Sequence, residues 1–183
     1  MRKNFVLLGL MLGLGGAAAQ AAPLNQALLT QAEKAKPEAL ALLERLVNID
    51  SGTYNEAGLD KVGAIAREEL KKLGARIEVL PATTAKSSNI VATWSGKGKG
   101  RILLVAHMDT VFGDGTAAAR PFRVDGKRAY GPGIMDDKGG IVMALYAMKL
   151  LREAKFDDYA KVTLILNTNE ETCLLYTSPS PRD

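Results

Sequence analysis

The chain has 183 residues, 47% of them hydrophobic, with 24 lysine or arginine against 20 aspartate or glutamate side chains and a formal charge of +4. That balance is ordinary for a soluble folded chain and supplies no basic face of the size that phosphate-backbone binding needs, and the length suits one domain better than two. One cysteine excludes an internal disulfide framework, and one histidine limits any metal or triad chemistry built within this chain alone.

The N-terminus opens on Met1-Arg2-Lys3, runs through an apolar stretch from Phe5 to Gly16, and leaves through Ala17-Ala18-Ala19-Gln20-Ala21. A basic start, a short apolar core and an Ala-x-Ala exit predict a secretory signal peptide over residues 1–21, cleaved after Ala21. The apolar run is shorter than the roughly 20 residues a permanent bilayer anchor takes, and no cysteine near the exit invites a lipid. The expectation is an exported protein, periplasmic or secreted, with no membrane attachment once the leader is gone.

Leu24 to Ala35 reads as a helix. Pro37 opens a second one through Val47, because proline is tolerated in a helix's first turn. Ala57 to Leu73 has the spacing of an amphipathic helix, and Gly74 suits its C-terminal cap. Arg76–Leu80 and Asn89–Trp94 read as strands, and the glycine–lysine turn 96–100 leads into Arg101–Ala106. The continuous apolar run Ile102-Leu103-Leu104-Val105-Ala106 predicts a central strand covered on both faces. Phe122–Val124 and Arg128–Tyr130 flank Asp125-Gly126, a hairpin signal. Lys138–Arg152 reads as a helix and Lys161–Asn167 as a strand. Helices alternating with buried strands predict an α/β domain, with a largely parallel mixed sheet flanked by helices.

The last stretch, Cys173 to Asp183, holds the one cysteine and two of the seven prolines. It resembles the conceptual translation of a sequencing adaptor. On that reading the biological sequence ends near Thr172, so that residues 22–172 form the front part of a larger domain.

The chemistry sits where predicted strands end. His107-Met108-Asp109 follows the apolar strand, and residues two apart on an extended chain point the same way. Asp109 can therefore accept from one ring nitrogen of His107 and leave the other for a metal; a lone histidine bonded into a loop is the bland alternative. Gly131 to Gly140 is a glycine-rich turn entering a helix, without the spacing of a phosphate or dinucleotide loop. The helix N-terminus stabilises its adjacent carboxylates, Asp136 and Asp137, and one of them could bridge two cations; an acidic N-cap reads equally well. Glu170-Glu171, at the end of the last strand, could aim one carboxylate at a metal and one at a water, or be a solvated surface pair.

Taken together, His107-Met108-Asp109-Thr110-Val111, the segment 131–140 and Asn167-Thr168-Asn169-Glu170-Glu171 resemble the dizinc exopeptidases related to carboxypeptidase G. That group includes glutamate carboxypeptidases, acetylornithine deacetylase and succinyl-diaminopimelate desuccinylase. The resemblance runs from about residue 40 to 172. Around Arg120–Val124 and Ala129–Gly133 it is most similar to the glutamate carboxypeptidase branch. It implies a zinc-exopeptidase-like catalytic domain, truncated here, with two zinc ions. His107 would bind one zinc and Asp109 would orient it. Asp136 would bridge the pair and be joined to Asp137 by a cis peptide bond. Glu170 would be the general base and Glu171 a ligand of the second zinc. The family's two further ligands and its inserted lid or dimerisation domain lie downstream, so this fragment is expected to be inactive and the full-length protein to form a homodimer. The implied substrate is a small peptide or N-acyl amino acid carrying a C-terminal acidic residue. An N-acyl amino-acid deacylase of the same family and a non-catalytic exported binding protein are the alternatives.

Overall fold

The computed structural model describes residues 25–82 and 87–173; the expected leader, residues 1–21, and residues 174–183 of the adaptor-like tail lie outside them. The chain opens with helix α1 (Gln26–Val47), capped by the Asn25 side chain, which accepts from the N–H groups of Ala27 and Leu28. Two helices were expected here, broken at Pro37, but α1 runs through the proline without interruption. The ring's φ of about −65° is itself helical, so the cost is one hydrogen bond and some crowding, not a change of conformation.

Helix α2 (Glu56–Lys72) ends as its sequence predicts. Gly74 takes φ +64°, Gly74 N–H donates to Lys71 O and Ala75 N–H to Leu70 O, which is the paired C-terminal closure that glycine permits. Strands β1 (Arg76–Pro81), β2 (Ser88–Ser95) and β3 (Arg101–His107) follow, then a single helical turn, α3 (Thr116–Ala119). The hairpin β4 (Arg123–Asp125) and β5 (Arg128–Tyr130) forms where expected, with its two-residue loop one position later, at Gly126-Lys127. An irregular wide turn, Ile134–Lys138, leads into α4 (Gly139–Glu153), and β6 (Lys161–Asn167) precedes a last short helix, α5 (Glu170–Cys173).

The main sheet has the order β1-β2-β6-β3. It is mixed, as expected, but less parallel than the alternation suggested: β1–β2 and β2–β6 are antiparallel and β3–β6 is parallel. β3 and β6 are joined through the hairpin and α4, a connection long enough to return the chain in the same direction, as a parallel pair requires.

One face of the sheet carries the core. Ile90, Ala92 and Trp94 of β2 and Val162, Leu164 and Leu166 of β6 alternate inward against Leu42 and Leu46 of α1, Leu59, Val62, Ala66 and Leu70 of α2, and Ile141, Leu145 and Met148 of α4. The Trp94 indole N–H is satisfied by Leu73 O at 3.0 Å. The expectation for β3 is corrected. It lies at the sheet's edge, not its centre, and among the described residues Leu103 and Val105 are each 61% exposed. A continuous apolar run records the burial a strand is suited to, whereas its place in a sheet depends on how many neighbours pair with it.

Candidate metal centre

Three segments end at one corner of the sheet. β3 delivers His107 as its last residue. In the parallel register His107 lies opposite Asn167, the last residue of β6, and the chain then turns into α5, which opens on Glu170 and Glu171. Parallel pairing is what puts both C-terminal strand ends on the same edge, where open α/β sheets place their ligands. The third segment is the turn before α4, in which Asp136 and Asp137 leave helical geometry (φ −133° and −132°) and are joined by a cis peptide bond.

These segments bring together His107, Asp136 and Glu171. His107 Nε2 stands 2.9 Å from Asp136 Oδ1, and one ligand atom from each of the three side chains lies within 4.8 Å of the others. That span is close to twice a zinc–ligand bond of about 2.0–2.2 Å. The Asp136 side chain is 75% exposed and the His107 side chain 8%, so the cluster opens to solvent on one side and rests on the protein interior on the other.

Asp109 is the anchor beneath it. It is fully buried, and each of its carboxylate oxygens receives two donors. Oδ1 accepts from His107 Nδ1 at 3.2 Å and from Glu170 N–H at 3.1 Å; Oδ2 accepts from Thr53 Oγ1 at 2.7 Å and from Glu171 N–H at 3.0 Å. His107 Nδ1 also faces the Asp109 carbonyl at 3.0 Å. With only acceptors before it, Nδ1 carries a proton, and Nε2 is turned to the cluster.

Carboxylates dominate the electrostatics of this corner, and His107 stands between two of them. Burial opposes charging His107, but the hydrogen bonds to Asp109 and Asp136 outweigh it and push its pKa up to about 9. Burial would raise Asp109 too, yet the donors from His107, Thr53, Glu171 and Glu170 hold it below the usual carboxylate range. Burial raises Asp137, although its carboxylate accepts backbone N–H groups of His107 and Gly140, and burial with the charge of Asp136 raises Glu171. Lys138, the nearest cation along the chain, is turned away: it is buried, its Nζ donates to Ile49 O at 2.7 Å, and burial, partly countered by Asp50, lowers its pKa to about 8. Asn167 Oδ1 is buried and meets no hydrogen-bond donor among the described residues. An imidazole and several carboxylates, short of positive charge and fixed from behind by a buried aspartate, fit a borderline-soft divalent ion such as zinc.

Residues 103–176 match Peptidase family M20/M25/M40. Over 153 residues the chain is 41% identical to carboxypeptidase G2 of Pseudomonas sp. (strain RS-16), covering 80% of this chain and 36% of that protein. The chain is thus similar to peptidases of the M20 family. It is also 33% identical over 147 residues to a Beta-Ala-Xaa dipeptidase of Lactobacillus delbrueckii subsp. lactis, covering 77% of this chain and 31% of the dipeptidase. The fold is similar to that of human carnosine dipeptidase 1, with a TM-score of 0.67 at 20% identity over 81% of this chain and 35% of that one. The chain thus spans about a third of the length of the curated M20 relatives it matches.

Sequence reasoning reached His107, Asp109, Asp136, Glu170 and Glu171, and the structure gathers all five at one corner. Glu170 and Glu171, expected at the end of the last strand, open the short helix α5 that follows it. Sequence reasoning missed Ser51, Thr53 and Lys138. Ser51 and Thr53 stand in the connection between two helices, and their burial is visible only in the structure.

Proposed function

We propose that the protein is a zinc-dependent exopeptidase of the glutamate carboxypeptidase type. It would hydrolyse the amide bond to a C-terminal acidic residue of an N-acyl or peptidyl conjugate, after export behind the leader of residues 1–21. The observation that carries this reading is the convergence of His107, Asp136 and Glu171, with Glu170 adjoining, in a chain 41% identical to carboxypeptidase G2 over 153 residues. In this reading His107, Asp136 and Glu171 would hold the zinc ions. Bound there, the ions would supply a water acidified towards pKa 7 and a Lewis acid for the scissile carbonyl.

The chain's own residues do the rest. Glu170 takes the proton of the attacking water and later gives it to the leaving amine. Asp109 keeps the His107 ring in one tautomer and orientation, and through the N–H groups of Glu170 and Glu171 it holds base and ligand in register with that ring. Asp137 stays on the N–H groups of His107 and Gly140, so it braces the turn and leaves Asp136 to face the ions.

The test uses the gene product extended past Thr172 to the length of its relatives. Glu170→Gln keeps shape and hydrogen-bonding reach but removes the base, so kcat should fall about 10²–10⁴-fold or more with metal content unchanged. Asp136→Ala should lose metal. Near-normal turnover in Glu170→Gln would show that another group is the base. A preference for acetylornithine over glutamate conjugates would move the specificity to the deacylase branch and leave the chemistry intact.

A further inference from the structure

The loop between α1 and α2 lies against the metal centre in the manner of a short extra strand. Thr110 N–H donates to Ser51 O at 2.9 Å, Ser51 Oγ donates to Met108 O at 2.9 Å, and Gly52 and Thr110 form an isolated parallel bridge. The approach is close enough to require glycine, because a Cβ at Gly52 would stand 2.6 Å from Phe112 O. Asp50 fastens the far side of the same loop, accepting from Gly115 N–H at 2.8 Å and Ala117 N–H at 2.7 Å. The residue this arrangement carries inward is Thr53, itself buried, whose hydroxyl gives Asp109 the shortest of its four hydrogen bonds.

We infer that Thr53 is a positioning residue of the metal centre: its hydroxyl locks the Asp109 carboxylate in the orientation that serves His107, Glu170 and Glu171 together. The inference rests on the metallopeptidase reading. Asp109 has no exposure to water, so its orientation is set entirely by donors. Three of the four belong to groups whose positions the centre depends on, the His107 ring and the N–H groups of Glu170 and Glu171. Thr53 comes from outside that set, on a loop held by its own hydrogen bonds, and is therefore the fixed point against which the others align. Without its hydroxyl, Oδ2 keeps one donor and the carboxylate can turn about its terminal torsion, carrying Oδ1 off His107 Nδ1. Groups that orient a metal ligand in this way are worth about 10–100-fold in metal affinity.

The experiment titrates Co²⁺ into the same extended gene product, freed of metal, following the visible absorption of the bound ion, with melting of the metal-free protein as control. Thr53→Val keeps the shape and removes the hydroxyl; Thr53→Ser keeps the hydroxyl. Thr53→Val should bind about 10–100-fold more weakly, Thr53→Ser within about threefold of the parent, and both should melt within a few degrees of it without metal. Parent-like binding by Thr53→Val overturns the inference and leaves the metallopeptidase reading standing. So does equal weakening in both variants, or loss of the metal-free fold in Thr53→Val, because the methyl or the packing would then be what matters. A parent protein that takes up no Co²⁺ removes the metallopeptidase reading and the inference with it.

Discussion

Both nitrogens of the His107 ring face acceptor oxygens, and the two meet different fates. Nδ1 donates to Asp109, which lies within the same buried turn and is held ionised by its donors. Nε2 faces Asp136 Oδ1 at 2.9 Å, a contact that needs a proton or a cation between the two atoms. In the metal-free protein a proton fills that place, and the hydrogen bonds to Asp109 and Asp136 together push the pKa up to about 9 from the ordinary 6.5. A metal ion must displace it. Metal affinity should therefore rise up to tenfold per pH unit until about pH 9 and level off above, with about one proton released per ion at pH 7. Calorimetry in two buffers of different ionisation enthalpy reads that proton directly, and binding without proton release would refute the arrangement. The sign for the metal-free fold follows from the raised pKa: the stabilisation is fully present below pH 6.5 and is lost as pH rises through about 9, so its Tm should fall over that window.

Among the elements, β3 carries the most unspent capacity. It ends at the candidate metal centre, pairs with β6 on one side and, among the described residues, pairs with no strand at its other edge, where Ile102, Leu103 and Val105 are 49%, 61% and 61% exposed. A long, apolar, open edge is a template for pairing with another chain. The 183-residue chain should accordingly self-associate through β3. Val105→Lys should reduce that association, measured by light scattering, while leaving the Tm within a degree or two, because the position contributes nothing to the core. Association unchanged by the lysine would locate the sticky surface elsewhere. The other elements are quieter. α1 passes through Pro37 because its N-terminal half is mostly exposed and need not pack closely, and the wide turn before α4 exists to turn Asp136 and Asp137 out of helical geometry.

For the whole molecule, export is a question of processing, separate from the fold. No helix among the described residues is long and apolar enough to cross a membrane. A leader cleaved after Ala21 predicts a protein whose N-terminal residue is Ala22, and an intact mass measured on protein recovered outside the cytoplasm checks this. A mature protein still beginning at Met1 would remove the export reading.

The sequence by itself determined what local physics controls. Periodicity placed α2, α4 and β6 within a residue or two, and Gly74 announced the end of α2 because only a residue without Cβ enters that positive-φ closure cheaply. The chemical inventory was legible as well, since His107, Asp109, Asp136, Glu170 and Glu171 are the residue types a zinc centre needs and each stands where a strand ends or a helix begins. Other features were decided by contacts between segments far apart in the chain, and no local pattern encodes those. Tertiary structure made β2 and β6 antiparallel neighbours, put β3 at the edge, and closed the distance between His107 and Asp136. It also brought Thr53 to Asp109, residues 56 apart, because the loop between α1 and α2 hydrogen-bonds along the segment that follows β3.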